Sequence, residues 1–66
     1  MSVQVNGEDR DLATPITVAD LLVALALPRR DVAVAVDGAV VPRSTWESAI
    51  VDEESEVEVV TAVQGG

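Results

Sequence analysis

Residues 17–26, Thr-Val-Ala-Asp-Leu-Leu-Val-Ala-Leu-Ala, carry the helical hydrophobic period of this chain, and the segments around them come in strand-length pieces. Val18, Leu21, Leu22 and Leu25 fall at i, i+3, i+4 and i+7, so they form one stripe along a helix. A single stripe has to be buried against something, and strands are the available partner. Thr17 is placed to cap the first turn, with Asp20 three residues on reaching back as in a capping box and complementing the helix dipole. Pro28 forces the chain out, which predicts a helix through about Ala26. Arg29 and Arg30 then meet the negative pole of the helix, a simpler role than a paired site for an anionic ligand.

The flanking segments alternate with the period of two expected of half-buried strands. Ser2-Val3-Gln4-Val5-Asn6 runs into Asn6-Gly7, a strong hairpin signal, and a polar second strand should end near Leu12. Its acids, within Glu8-Asp9-Arg10-Asp11, read as a solvated hairpin arm rather than a metal site. Val32-Ala33-Val34-Ala35-Val36 is the clearest strand, turned back by Asp37-Gly38 into Ala39-Val40-Val41. Pro42 cannot donate to a ladder, so that return strand is short or at an edge. Ser44, followed by Glu47, is expected to cap one helical turn around Trp46, whose reading is a core plug. Ile50 and Val51 precede an acidic turn, Asp52 to Ser55, and a last strand runs from about Glu56 to Val63.

That order, strand, strand, helix, strand, strand, strand, predicts an α+β domain spanning residues 1–66. A chain this short buries only about 60% of the surface its unfolded form exposes, so its stability is modest. The 48% hydrophobic content argues against disorder despite a formal net charge of −8. With 12 Asp and Glu against four Arg and no Lys, the surface repels nucleic acid and anionic lipid and favours a partner with a basic docking face. No Cys, His or Lys is present, which removes the thiolates, the common general bases, the usual zinc ligands and the Schiff-base nucleophile. An autonomous enzyme is therefore not expected. Neither a membrane span nor a signal peptide is expected, and cytoplasm is the default location.

The final strand divides its residues unequally. Val57, Val59, Thr61 and Val63 share one face, suited to packing under the helix, while Glu56, Glu58, Val60, Ala62 and Gln64 share the other. The second face starts charged and becomes apolar toward the end, which marks it as a docking surface unless the Trp46 segment covers it. Gly65 and Gly66 lack a Cβ and leave the end slim enough for a narrow channel. Two readings follow: a frayed terminus, or a Gly66 carboxylate that is itself the functional group. A flexible tail is expected over about residues 63–66.

This order, in an acidic chain ending Val-Glu-Val-Val-Thr-Ala-Val-Gln-Gly-Gly, resembles the ubiquitin-like β-grasp sulfur carriers, especially those of thiamin biosynthesis. The resemblance covers the whole chain: Val-Gln-Val-Asn-Gly, Thr17 to Leu22, Val36-Asp37-Gly38, Val41-Pro42-Arg43-Ser44 with Trp46, and Val57 to Gly66. It implies a mixed sheet of four to five strands packed against one main helix. It also implies that an adenylating enzyme of the ubiquitin-activating type uses ATP and Mg²⁺ to activate the Gly66 carboxylate. Sulfur derived from cysteine, through a donor system such as cysteine desulfurase, then gives a thiocarboxylate, and thiazole synthase accepts the sulfur. The carrier binds no cofactor itself in this scheme; Gly65 gives access, and Val60, Ala62, Gln64 and Glu58 meet the partner. Other readings are the small subunit of molybdopterin synthase, a ubiquitin-like protein modifier, and a passive β-grasp interaction module. The absence of lysine departs from the modifiers and prevents lysine-linked chains of this protein.

Overall fold

In a computed structural model, residues 2–61 are described. They form β1 (Ser2–Val5), β2 (Glu8–Asp11), β3 (Ile16–Thr17), α1 (Val18–Ala24), β4 (Val32–Val36), β5 (Ala39–Val41), a 3₁₀ turn (Arg43–Thr45), β6 (Ile50–Val51) and β7 (Glu56–Thr61). The expected flexible tail over 63–66 lies outside the described residues.

Five strands make one mixed sheet in the order β2-β1-β7-β4-β5. Both hairpins close through two residues at positive φ, Asn6 and Gly7 at 53° and 83° and Asp37 and Gly38 at 52° and 85°. Those are the dihedral signs of type I′ turns, whose twist matches that of the flanking strands. β7 runs parallel to β1, with Val5 opposite Val57, and antiparallel to β4, with Val34 opposite Val59. Val3, Val5, Val34, Val57 and Val59 thereby line one face, and Val18, Ala19, Leu21 and Leu22 of α1 close over it. Leu25 packs at the margin of this core, so the stripe read from the sequence is the buried one.

Two short elements absent from the sequence reading seat the helix. β3 pairs with β6 in a separate two-stranded ladder, Ile16 opposite Val51 and Thr17 opposite Ile50. The first-turn amides of α1 then find partners one after another: Val18 N–H donates to Ala49 C=O, Ala19 N–H to Trp46 C=O, and Asp20 N–H to Thr17 Oγ1. The Thr17 half of the capping box is present; among the described residues the Asp20 carboxylate makes no return bond. Trp46 is the core plug expected, 1% exposed, with its Nε1–H donating to Val41 C=O at 2.9 Å.

Three local expectations are corrected. The turn before Trp46 starts at Arg43 with Pro42 as its cap and no side-chain bond there, so Ser44 is not the cap. The reason is steric: Pro42 is preset at φ −60°, and Thr45 Oγ1 donates back to its carbonyl at 2.9 Å. The helix ends at Ala24, two residues early, because Ala26 enters the left-handed region at φ 57°. Leu27 N–H donates to Leu22 C=O and Ala26 N–H to Val23 C=O, the pairing of a Schellman motif with alanine where glycine is usual. Arg29 and Arg30 consequently lie beyond the cap, and the last helical turn holds no basic residue.

Ala26 is exposed and has a left-handed backbone, which costs an L-residue about 1–2 kcal/mol. Ala26→Gly is expected to stabilise the protein by about 0.5–1 kcal/mol after the extra unfolded-state entropy of glycine is subtracted. Urea unfolding followed by Trp46 fluorescence measures it, and a lower midpoint for the variant would contradict the assignment of strain.

Candidate functional site

The sheet has a second face, directed away from α1, and strand pairing decides what stands on it. Gln4 lies opposite both Asp9 and Glu56, Glu58 opposite Ala35, Val60 opposite Ala33, and Ala35 opposite Val40. The result is a surface in two halves. Asp9, Glu56 and Glu58 supply an acidic half over β2, β1 and the start of β7; Val60, Ala33, Ala35 and Val40 supply an apolar half over the end of β7, β4 and β5.

Val60 is 61% exposed and Val40 is 73% exposed, so no element among the described residues covers the apolar half. The Trp46 segment, the one candidate to cover Val60, sits instead at the start of the helix, as its bonds to Ala19 and Val41 require. Glu58 and Val60 thus stand where the sequence reading puts them, exposed and on one face of β7. Ala62, Gln64, Gly65 and Gly66 lie outside the described residues. Val40 and Ala33 join Val60 on this face through the β4 pairings and were not singled out from sequence. Alternation alone separates Ala33 and Ala35 from the buried valines of β4, but which strand lies beside which is settled by distant contacts.

What holds β7 in this position is partly one side chain. Gln4 N–H donates to Ser55 C=O and Asn6 N–H to Val57 C=O, the two-residue steps of a parallel ladder. The backbone then turns away at Gly7. The Asn6 amide takes the next step in its place, Nδ2–H donating to Val59 C=O at 3.2 Å and Oδ1 accepting from Val59 N–H at 2.9 Å. A side-chain amide here does the work of the missing peptide. Asn6 also tolerates the positive φ that the hairpin needs, so two separate requirements select asparagine at this position.

Among the described residues there is no group of His, Cys, Asp or Glu able to hold a metal ion, and no helix is long and apolar enough to cross a membrane.

Comparison with known proteins agrees with this architecture. Residues 3–66 match the ThiS family. The crystal structure of the thiamine biosynthesis protein ThiS from Geobacter metallireducens superposes with a TM-score of 0.87 at 29% identity, covering 100% of both chains. A solution structure of a thiamine biosynthesis protein from the same organism gives 0.77 at 30% identity, covering all of this chain and 87% of that one. The chain is 33% identical over its 66 residues to the thiazole synthase of Paramagnetospirillum magneticum, yet spans 20% of that protein's length. It is 32% identical to the uncharacterized protein ycf40 of Pyropia yezoensis and spans 93% of it.

One helix across a five-stranded mixed sheet, with β7 between β1 and β4, is the ubiquitin-like β-grasp architecture. The chain belongs to the ThiS family.

The Asn6 amide yields a graded expectation. Asn6→Asp keeps an acceptor but loses the donor to Val59 C=O, and should cost about 1–3 kcal/mol. Asn6→Gly suits the turn and loses both bonds, so it should cost less than the sum of two hydrogen bonds. Chemical unfolding of both variants checks this, and wild-type stability in Asn6→Asp would show that the amide is not holding β7.

Proposed function

We propose that this protein is a co-substrate rather than an enzyme, and that Gly66 is the atom carrier: its α-carboxylate is adenylated by a partner and converted to a thiocarboxylate. A carboxylate is a poor electrophile. One of its oxygens attacks the α-phosphate of ATP, pyrophosphate leaves with Mg²⁺ balancing its charge, and the mixed anhydride is then open to sulfur. The persulfide of a desulfurase-type donor, its outer sulfur taken from cysteine, attacks the acyl carbon and displaces AMP. A thiol then cleaves the resulting acyl disulfide at the donor's sulfur, leaving C–S⁻ at Gly66 and the donor as a disulfide. The adenylation step demands an in-line approach to the α-phosphate inside a water-excluding site, which a Cβ-free end such as Gly65-Gly66 permits.

The observation that carries this reading is the family match, which extends over the whole sheet and through both terminal glycines. The exposed strip of Val60, Ala33 and Val40 beside Glu58 is the surface on which we place partner docking, with Ala62 and Gln64 continuing it toward Gly66. Thiazole synthase is the acceptor proposed. Its support is that a region similar to this entire chain forms part of proteins named thiazole synthase in Paramagnetospirillum magneticum and Magnetococcus marinus. Joining a donor to its acceptor in one polypeptide raises their effective concentration, which rewards a pair that has to meet. We place the carrier in the cytoplasm, where ATP and cysteine-derived sulfur are available.

Intact-mass analysis after incubation with the adenylating enzyme, ATP, Mg²⁺ and a sulfur donor tests the proposal. The expected gain is about 16 Da, sulfur for oxygen, confined to the C-terminal peptide. Deleting Gly66 should abolish it while the unfolding midpoint stays unchanged. Thiocarboxylate on the shortened chain would refute the assignment; adducts of high mass on target lysines would indicate a protein modifier, and sulfur passed to a pterin precursor in preference to thiazole synthase would indicate a molybdopterin synthase subunit.

A further inference from the structure

Arg29 and Arg43 meet at one corner of this acidic molecule, and Arg30 follows Arg29 in the chain there. Arg43 donates from its guanidinium to Arg29 C=O at 2.6 Å and lies over the Trp46 ring, 5.4 Å from the centroid. Arg29 approaches Glu47 at 3.8 Å, with both side chains largely in water. Arg30 is exposed and makes no ion pair among the described residues. Asp31 and Glu47 are the nearby carboxylates, so the corner sets three arginines against two acids, while the rest of the chain sets one arginine against ten.

Strand register fixes where this corner lies. Val32 stands opposite Thr61, the last described residue of β7, and Arg29 and Arg30 lead into Val32. Val41 stands opposite Val34, and the chain runs on from Val41 through Pro42 to Arg43, toward that same end of the sheet. The remaining arginine, Arg10, is on β2 at the far edge and pairs with Glu8 at 3.5 Å. The basic corner therefore flanks the point at which β7 gives way to Ala62–Gly66.

Arg43 is held by a carbonyl and an indole rather than by a carboxylate. A carbonyl bond and a stacked ring fix the guanidinium in place while leaving its charge uncompensated, which is the state of a group ready to meet an anion. In a chain with so many acids, none of them is used to neutralise it.

We propose that Arg30 and Arg43 dock against carboxylates rimming the entrance of the adenylating partner's tail channel. This rests on the sulfur-carrier reading above. Five residues separate Thr61 from the end of Gly66, a reach of at most about 18 Å when extended. A carboxylate delivered over that distance leaves the corner at the mouth of the site, away from the ATP phosphates. Together with the acidic half of the outer face, the positive corner gives the docking surface two poles, and two poles admit one orientation.

Arg30→Glu is the decisive variant, because Arg30 is exposed and makes no ion pair or side-chain hydrogen bond among the described residues. Arg10→Glu makes the same change in net charge at the remote edge. Thiocarboxylate formation is measured against carrier concentration at two ionic strengths for wild type and both variants. Arg30→Glu is expected to lower kcat/KM about tenfold or more through KM, with kcat unchanged and a weaker salt dependence, while Arg10→Glu stays within about twofold. Equal losses for the two variants, or none for Arg30→Glu while wild type reacts, would overturn the corner and leave the carrier reading intact. A loss confined to kcat would place the arginines at the reacting phosphates and also overturn it. If wild type forms no thiocarboxylate with an active enzyme, the carrier reading fails and the corner proposal with it.

Discussion

The position of β7 is the constraint on which the rest depends. It sits between β1 and β4 and supplies Val57 and Val59 to the core while Glu58 and Val60 face outward. A central strand has both of its backbone edges paired, so it is the most firmly held element of a sheet, and here it is the strand that leads to the glycine end. On the proposed function, a β7 paired on both sides and a Cβ-free end are complementary needs. The helix serves the same purpose from the other side, since Leu21 and Leu22 bury the inner face of the strands that grip β7.

Much of this was legible because it is written in local chemistry. Asn6-Gly7 and Asp37-Gly38 close their hairpins with the positive φ values those residue pairs favour. The stripe of Val18, Leu21 and Leu22 is buried, and Trp46 fills the core as its size and isolation suggested. Two of the misreadings come from one local rule outcompeting another. The helix stops before Pro28 can act because Ala26 accepts a strained dihedral that lets Leu27 and Ala26 bond back to Leu22 and Val23. Ser44 loses the cap to Pro42, and Arg29 leaves the helix pole for Arg43 and Glu47 beside Trp46. The β3 and β6 ladder is two residues long and joins segments more than 30 residues apart, so no window of sequence reveals it.

The outer face shows the same division. Period-two alternation was enough to set Glu58 and Val60 apart from Val57 and Val59. It could not say that Val40 would complete the apolar strip, because that depends on β4 lying beside β7. Asn6 is the sharpest case. The sequence identifies it as a turn former, whereas its pairing with Val59, 53 residues away, is visible only in three dimensions.

A central β7 also sets the order in which the molecule can come into being. Ribosomes make the chain from its N-terminal end, and until residues 56–61 have been added, β1 and β4 have no neighbour to share and α1 has no complete floor. Both hairpins and the helix can flicker into existence earlier, but they cannot be assembled. The residues that finish the sheet are followed within five positions by Gly66, where the proposed chemistry falls. A chain ended before β7 therefore lacks the strand its sheet is assembled around as well as its glycines, whereas one ended beyond Thr61 keeps every strand of the sheet.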